Sequence, residues 1–379
     1  MWDESKHPRV PSGSPEGGQF ATEAISILSL SDADGKRVIH PDGSMPSNNE
    51  IASYFTKNNR KLDLNDPEEY ALVLKRMEAE LGSQLKQPWS GIDFYDTDTR
   101  EAMEIAAKEH PSLKGLNERI VFLAMSGVMS NNTAPPDQFE ASLHFWEKYA
   151  ASGFKEYSDR KDNGTRWGVQ AKEMSLQALV MLVNKYGMKG AADFLVAEHT
   201  LDQLRSEKFS TGLYKGVAGI KGKALQVRSG FSMLGPKVGE YVRNMNGLSG
   251  VTIDLWATRT ILRHIGDMTD KDGSIRNAPT SEKQRGIFKS LYTKAGEKYG
   301  LTPQKSQAGL WFFEQRLYRK LGKHKTGYSL AAGARRYRDR RLLRGGPSRG
   351  LESLSVPPRA AQMGARAPAI SRPPSGWRE

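Results

Sequence analysis

The feature that most constrains this chain is a nearly unbroken series of helix-type patterns between residues 117 and 320. The segment "PPDQFEASLHFWEKYAASG" is typical, because Phe139, Leu143, Trp146 and Tyr149 recur at spacings of three and four and so share one helix face. No series of strand patterns alternates with these helices, so a parallel sheet is excluded. We therefore predict an all-α fold, with a helical core over residues 91–322.

The regions on either side of this core differ from it in composition. Residues 1–22 are rich in Pro, Gly and Ser, which predicts a disordered leader. Residues 23–90 are expected to form a small N-terminal region with one long helix, "DPEEYALVLKRMEAELG". We expect Asp66 and Pro67 to begin this helix and Gly82 to end it.

Within the core, "DTDTREAMEIAAKEHP" predicts a helix capped by Asp98 or Thr97. Thr302 and Pro303 mark the start of the last core helix, "TPQKSQAGLWFFEQRLYRKLG". Residues 323–379 are rich in Arg, Pro and Gly and are expected to be a disordered basic tail.

Positive charge is concentrated at the C-terminal end. The chain of 379 residues has a net charge of +13, and the segment from Arg319 to Glu379 holds 15 Lys and Arg against three Asp and Glu. A basic arm on a nearly neutral body favours a polyanionic partner, with DNA first and Arg335, Arg336 and Arg338 as phosphate contacts. The alternatives are a solubilising tail and a tail that binds an acidic protein.

Several classes of function are excluded by composition. The chain has no cysteine, so it has no disulfide, thiolate nucleophile or Cys-bound metal. Its seven histidines are scattered without a metal-binding spacing, so we expect neither a metal nor a cofactor. It has no apolar run of about 18 residues, so we expect no membrane partner.

One carboxylate stands in an apolar and aromatic run, "GVTIDLWATRTILRHI". Asp254 at this place has two interpretations. It caps the free N–H groups of a helix that starts there, or it faces a sugar or nucleobase as a reactive group. The two roles are compatible, because a helix N-terminus holds the side chain in place. It also stabilises the charged form of the side chain.

The longer segment "LGPKVGEYVRNMNGLSGVTIDLWATR" resembles the helix–hairpin–helix DNA glycosylase superfamily. In that family a hairpin with a lysine at the next helix start precedes a segment with the catalytic aspartate. The matching residues are the turn from Leu234 to Gly239, Lys237, and Asp254. The family's glycines precede its lysine, whereas here they stand on either side of Lys237, so the match supports Asp254 more than Lys237.

The resemblance implies a helical glycosylase-like core, no cofactor, and roles for particular residues. Asp254 would stabilise the positive charge that develops on the deoxyribose, and Lys237 would attack the sugar. A surface lysine at a helix start is the alternative for Lys237. Backbone groups of Leu234, Gly235, Pro236 and Gly239 would hold a phosphate.

Further residues are weaker candidates, each with a structural alternative. Lys221 and Lys223 fit a phosphate contact or a solvated turn. Trp256 fits a base pocket or the core, and Asn131 and Asn132 fit a pocket wall or a helix cap. Arg259, five residues after Asp254, is expected to have a structural role.

The chain also resembles a group of uncharacterised phage and prophage proteins, through "SGVMSNN", "VTIDLWATR" and "SQAGLWFFEQ". Together the resemblances predict a phage-related DNA-binding protein that excises a flipped base, in the host cytoplasm or the virion. The alternative is a non-catalytic DNA-binding protein associated with the phage head, with head or portal proteins as partners.

Overall fold

The computed structural model describes residues 47, 49–52, 61–131, 133–158, 170–206, 225–320 and 329–343, which are predominantly helical. This confirms the all-α prediction. The main helices are α1 (Pro67–Leu85), α2 (Thr99–Glu109), α3 (Leu116–Met129), α4 (Pro135–Tyr149), α5 (Lys155–Ser158), α6 (Gln170–Val196), α7 (Leu201–Ser206), α8 (Val238–Met245), α9 (Leu255–His264), α10 (Glu282–Glu297), α11 (Pro303–Lys320) and α12 (Leu330–Leu343). None of the described helices is long and apolar enough to cross a membrane.

Two short strands lie within the helical series. Strand β1 (Glu198–Thr200) pairs antiparallel with β2 (Val227–Ser229), with Glu198 opposite Ser229. A 3₁₀ turn, Gly230–Leu234, follows β2 and leads to α8. The helical series predicted between residues 117 and 320 is therefore interrupted here by a strand and a 3₁₀ turn.

Local capping signals explain where several helices begin. Asp66 caps α1 by accepting hydrogen bonds from the N–H groups of Glu68 and Glu69, and Pro67 occupies its first turn as predicted. The predicted end at Gly82 was wrong, because α1 continues to Leu85. Gly82 makes room instead for the Tyr299 ring, whose hydroxyl donates to the carbonyl of Glu78.

The helices form two groups with separate hydrophobic cores. The first helical group comprises α2 to α8, and its core is centred on the almost wholly buried face of α3. The second helical group comprises α1, α9, α10 and α11. Helix α11 joins the two, since Phe312 lies in the first core and Leu310 lies in the second.

Part of the predicted disordered tail is a packed helix. In α12, Leu330, Ala331, Ala334 and Tyr337 are buried in the core of the first helical group. Small side chains and one aromatic ring at helical spacing therefore outweigh the high arginine content. Residues 1–46 and 344–379 lie outside the described residues.

Asp98 holds the start of α12 rather than its own helix. Its side chain makes no cap bond to α2. It accepts hydrogen bonds from the N–H of Leu330 (2.7 Å) and from the Ser329 hydroxyl. The prediction of an ordinary cap on α2 was wrong, because the carboxylate serves a helix start more than 200 residues away.

Buried charges fix the C-terminal end of α9. The guanidinium of Arg263 is fully buried and donates to Glu80 of α1 and to Glu314 of α11, each at 2.8 Å. His264 Nε2 lies 3.0 Å from Glu80, and Arg76 donates to the His264 carbonyl. These bonds join three helices of the second helical group, α1, α9 and α11, through two consecutive residues of α9.

Candidate active site

Asp254 lies at the N-terminus of α9, as the sequence predicted. Its Oδ1 accepts the N–H of Ala257 at 2.8 Å, which is the usual bond of an N-cap. Its Oδ2 accepts the indole N–H of Trp311 from α11 at 3.1 Å. The carboxylate is partly buried, between the apolar residue Ile253 and the first turn of α9.

The pKa of Asp254 is raised above the ordinary value for an aspartate. Burial is the largest cause, and it outweighs the lowering by the charge of Lys237 and by the N–H groups of Ala257, Trp311 and Trp256. The expectation that the helix N-terminus keeps this group more readily ionised was therefore wrong in its net direction. The helix contributes as expected, but desolvation is larger.

Lys237 is the cation whose charge lowers the pKa of Asp254. It occupies the N-cap position of α8 and is partly buried. Its amine makes no hydrogen bond or ion pair with any of the described residues. An amine that makes no such bond, and whose charge acts on a partly buried carboxylate, is available to a ligand.

The turn before α8 is closely packed against the preceding 3₁₀ turn. Gly235 has φ of +90°, which favours glycine, and Leu234 is buried. A Cβ at Gly239 would strike the carbonyl of Phe231. The N–H groups of Gly235 and Gly239 are bonded to Ser232 and Gly235, and Pro236 has none. These amides are therefore committed within the protein rather than free for a phosphate.

A cluster of aromatic side chains adjoins Trp311, whose indole contacts the carboxylate of Asp254. Trp311 contacts Phe94 with ring centroids 5.6 Å apart, and Tyr95 contacts Tyr241 at 5.8 Å. Burial and, less strongly, the charge of Asp254 raise the pKa of Tyr95, although its contact with Thr252 opposes the shift. Tyr95 is thus a neutral hydroxyl, which donates to Gln307 at 3.0 Å.

Tyr95 and Tyr241 carry no sequence signal that marks them as site residues. Tyr95 belongs to the π-helical turn Phe94–Asp98, and Tyr241 lies on the inner face of α8. Tyr95 lies far from Asp254 in the chain, whereas Tyr241 lies in the same segment as Lys237 but resembles any buried residue of a helix face. Only the packing of α8 and α11 brings them together, and that packing is not encoded in a local motif.

Other predicted residues lie elsewhere. Trp256 packs edge-on against Tyr318 of α11 at 5.0 Å and stacks under Arg259 at 4.9 Å. Arg259 donates to Asn277 rather than to Asp254, which fits the structural role expected for it. Asn131 follows α3 as part of a turn, where its carbonyl accepts from Thr133.

The remaining basic candidates are divided between described and undescribed segments. Lys221, Lys223 and Asn132 lie outside the described residues. Arg335 and Arg336 lie on α12, where Arg335 pairs with Glu101, and Arg336 lies 2.7 Å from Asp137. Arg338 is on the same helix. All of these pairs involve exposed side chains, so they are weak and exchangeable.

One open cavity of about 590 Å³ lies at the opposite end of α9 from Asp254. Its walls are the segment 61–65, Ile265 at the end of α9, and the first residues of α10. It is therefore separate from the Asp254 carboxylate.

Comparisons with models of protein families, with curated proteins and with solved structures find no match for this chain.

Proposed function

We propose that this protein is a DNA-binding, glycosylase-like enzyme of phage origin that cleaves the N-glycosidic bond of a flipped base. The observation that carries the proposal is the position of Asp254. Its carboxylate is fixed by Ala257 and Trp311 at a helix N-terminus, within the electrostatic reach of Lys237. A carboxylate held in this way is suited to stabilise an oxocarbenium-like sugar.

Two routes to base release are compatible with this pair. In the first, Asp254 stabilises the positive charge on the sugar while water adds to C1′. In the second, the unprotonated amine of Lys237 attacks C1′, and the bonding electron pair leaves with the base, which takes up a proton. Neither route requires a cofactor. A base must first leave the duplex to reach either group.

Base release from DNA tests the proposal directly. Purified protein is incubated with phage, host and chemically modified DNA, and free bases are measured by mass spectrometry. We expect wild type to release a base and Asp254→Asn to release at least a hundredfold less. Asp66→Asn is the matched control, since it makes the same substitution in another helix cap. Equal release by wild type and Asp254→Asn would refute a catalytic role for Asp254.

The second route has its own test. Reduction with borohydride would trap a covalent adduct between Lys237 and the opened sugar, and we expect Lys237→Met to form none. Base release without a trapped adduct would assign the first route.

A non-catalytic DNA-binding protein of the phage head is the second candidate. It is favoured by the fact that both oxygens of Asp254 already accept hydrogen bonds within the protein. This candidate predicts salt-sensitive DNA binding that survives Asp254→Asn but is lost on removal of residues 344–379, with no base released. Retention of α12 in that truncation keeps its buried face in place.

A further inference from the structure

Trp89 is the large aromatic side chain that stands out on the surface next to the candidate site. It is 52% exposed, whereas Phe312, which its ring contacts, is almost completely buried. Its ring meets Phe312 edge-on with centroids 4.5 Å apart. Phe312 in turn lies 4.7 Å from Trp311, the residue that donates to Asp254.

The loop that carries Trp89 is held firmly. The side-chain amide of Gln84, which is buried in α1, donates to the carbonyl of Ser90 at 2.9 Å. Gly91 has φ of +78°, and a Cβ there would overlap the ring of Phe312. The loop therefore presses on Phe312 through a glycine, and Trp89 is presented on a fixed support rather than on a free end.

The charges around this loop permit the approach of a phosphate backbone. Lys86, three residues before Trp89 in the chain, is exposed. The nearby acidic side chains Asp93 and Asp96 lie 3.1 and 3.8 Å from Lys305, which reduces their repulsion of an anion. An exposed indole with an exposed lysine three residues away in the chain is a combination suited to a nucleic acid, since every base has a face on which an aromatic ring stacks.

The distances suit a nucleotide close to the one at Asp254. Two ring steps of 4.5 and 4.7 Å separate Trp89 from Trp311. A DNA strand rises about 3.4 Å per nucleotide, so these steps span at most about three nucleotides. A base removed from the stack also leaves a gap that an exposed aromatic ring can fill.

We propose that Trp89 stacks on a DNA base next to the nucleotide held at Asp254. The inference rests on the proposed function for the location of that nucleotide. The stacking contact itself requires only that the protein binds DNA, so it can be tested in a variant that performs no chemistry.

The experiment uses the full chain carrying Asp254→Asn and an oligonucleotide with 2-aminopurine at successive positions around a mismatch. Because stacking on an aromatic side chain contributes about 1–3 kcal/mol per base, Trp89→Ala should weaken binding roughly fivefold to a hundredfold. At one or two positions next to the mismatch, Trp89→Ala should also abolish the change in 2-aminopurine emission that protein binding causes. Trp89→Phe should restore much of both, and Leu116→Ala, which removes another exposed apolar side chain, should change neither.

The outcomes separate this inference from the proposed function. Weaker binding by Trp89→Ala supports stacking, even if wild type releases no base and the catalytic proposal fails. Binding by Trp89→Ala equal to that of its parent, with an unchanged emission profile, overturns stacking even if base release is found. Absence of DNA binding by wild type overturns both. Circular dichroism of Trp89→Ala and Trp89→Phe checks that the fold is intact.

Discussion

Each end of α9 adjoins a carboxylate, Asp254 at its N-terminus and Glu80 of α1 at its C-terminus, and the pKa values of the two move in opposite directions. At the N-terminal end, burial raises the pKa of Asp254 against weaker opposing effects. At the C-terminal end, burial would also raise the pKa of Glu80, but the charges of Arg263 and His264 and their hydrogen bonds lower it to about 2. The difference lies in the partners. Glu80 has a guanidinium in direct contact, whereas Asp254 has neutral donors and an amine that makes no bond to it.

This contrast separates structural from reactive groups within one helix. A carboxylate paired directly with a buried cation is committed to the fold, because breaking the pair leaves a charge uncompensated. A carboxylate that is desolvated without such a pair is easier to protonate and is available to a ligand. The same helix therefore anchors the second helical group at one end and presents a candidate reactive group at the other.

The largest expected effect comes from breaking the network at the C-terminal end. Arg263→Met leaves Glu80 and Glu314 without their shared guanidinium, and we expect a loss of about 3–5 kcal/mol in the free energy of unfolding. Urea denaturation measures it. Arg285→Met is the control, because Arg285 pairs with an exposed Glu282 and should cost less than about 1 kcal/mol.

A combined variant shows whether the loss is electrostatic. Adding Glu80→Gln and Glu314→Gln to Arg263→Met removes the uncompensated charges, so part of the lost stability should return. If Arg263→Met is no more costly than Arg285→Met, buried charges do not hold α9 and the contrast between its two ends disappears.

The next effect is the pH dependence of stability, which has opposite signs at the two ends. The folded pKa of Glu80 is below its usual value of 4.5, so its contribution is fully present above that pH and is lost as the pH falls towards 2. The lowering corresponds to about 3 kcal/mol. The folded pKa of Asp254 is above 3.8, so its ionisation costs stability as the pH rises through that window.

Unfolding of wild type, Glu80→Gln and Asp254→Asn between pH 2 and 6 tests both signs. The difference in unfolding free energy by which wild type exceeds Glu80→Gln should shrink on acidification below pH 4.5. The unfolding free energy of wild type, relative to that of Asp254→Asn, should fall as the pH is raised above 3.8. Two differences with the same sign would show that direct pairing does not distinguish these carboxylates.

The sequence predicted those parts of the fold that depend on neighbours along the chain. Asp66 and Asp254 were identified as helix caps because a cap bonds to N–H groups two or three residues later. Predictions from local sequence were wrong where contacts between distant residues decide the structure. Gly82 was predicted to end α1, but it accommodates the ring of Tyr299, which lies in the loop after α10. Asp98 looked like a local cap, but its partner is the start of α12.

The residues of the candidate site also differ in whether local sequence could identify them. Asp254 and Lys237 were found because the motif that contains them is continuous in sequence. Nothing local in the sequence indicates that the indole N–H of Trp311 meets Asp254. Tyr95 was missed for the same reason. Tyr241 lies within the motif, but a buried tyrosine on a helix face is an ordinary core residue. The predicted phosphate-binding turn shows the limit of pattern matching, because two of its amides are bonded internally.

The smallest expected effect compares the two helix caps themselves. At Asp66, exposed and bonded to two N–H groups, Ala should cost about 1 kcal/mol of unfolding free energy and Asn much less, since Asn also caps well. At Asp254, Ala loses both the cap and the partner of Trp311, so a similar loss is expected. Asn keeps the oxygen that caps the helix and removes a desolvated charge, but its NH2 replaces the oxygen that accepts from Trp311. Its loss at neutral pH should therefore be smaller than that of Ala. Thermal and urea unfolding of the four variants measures these losses. A loss at Asp254→Asn as large as that at Asp254→Ala would mean that the carboxylate and its bond to Trp311 stabilise the fold, and the carboxylate would then be a structural group. A gain, together with lost base release, would mean that the protein keeps a charge at the start of α9 at the expense of its own stability, which a helix cap alone does not require.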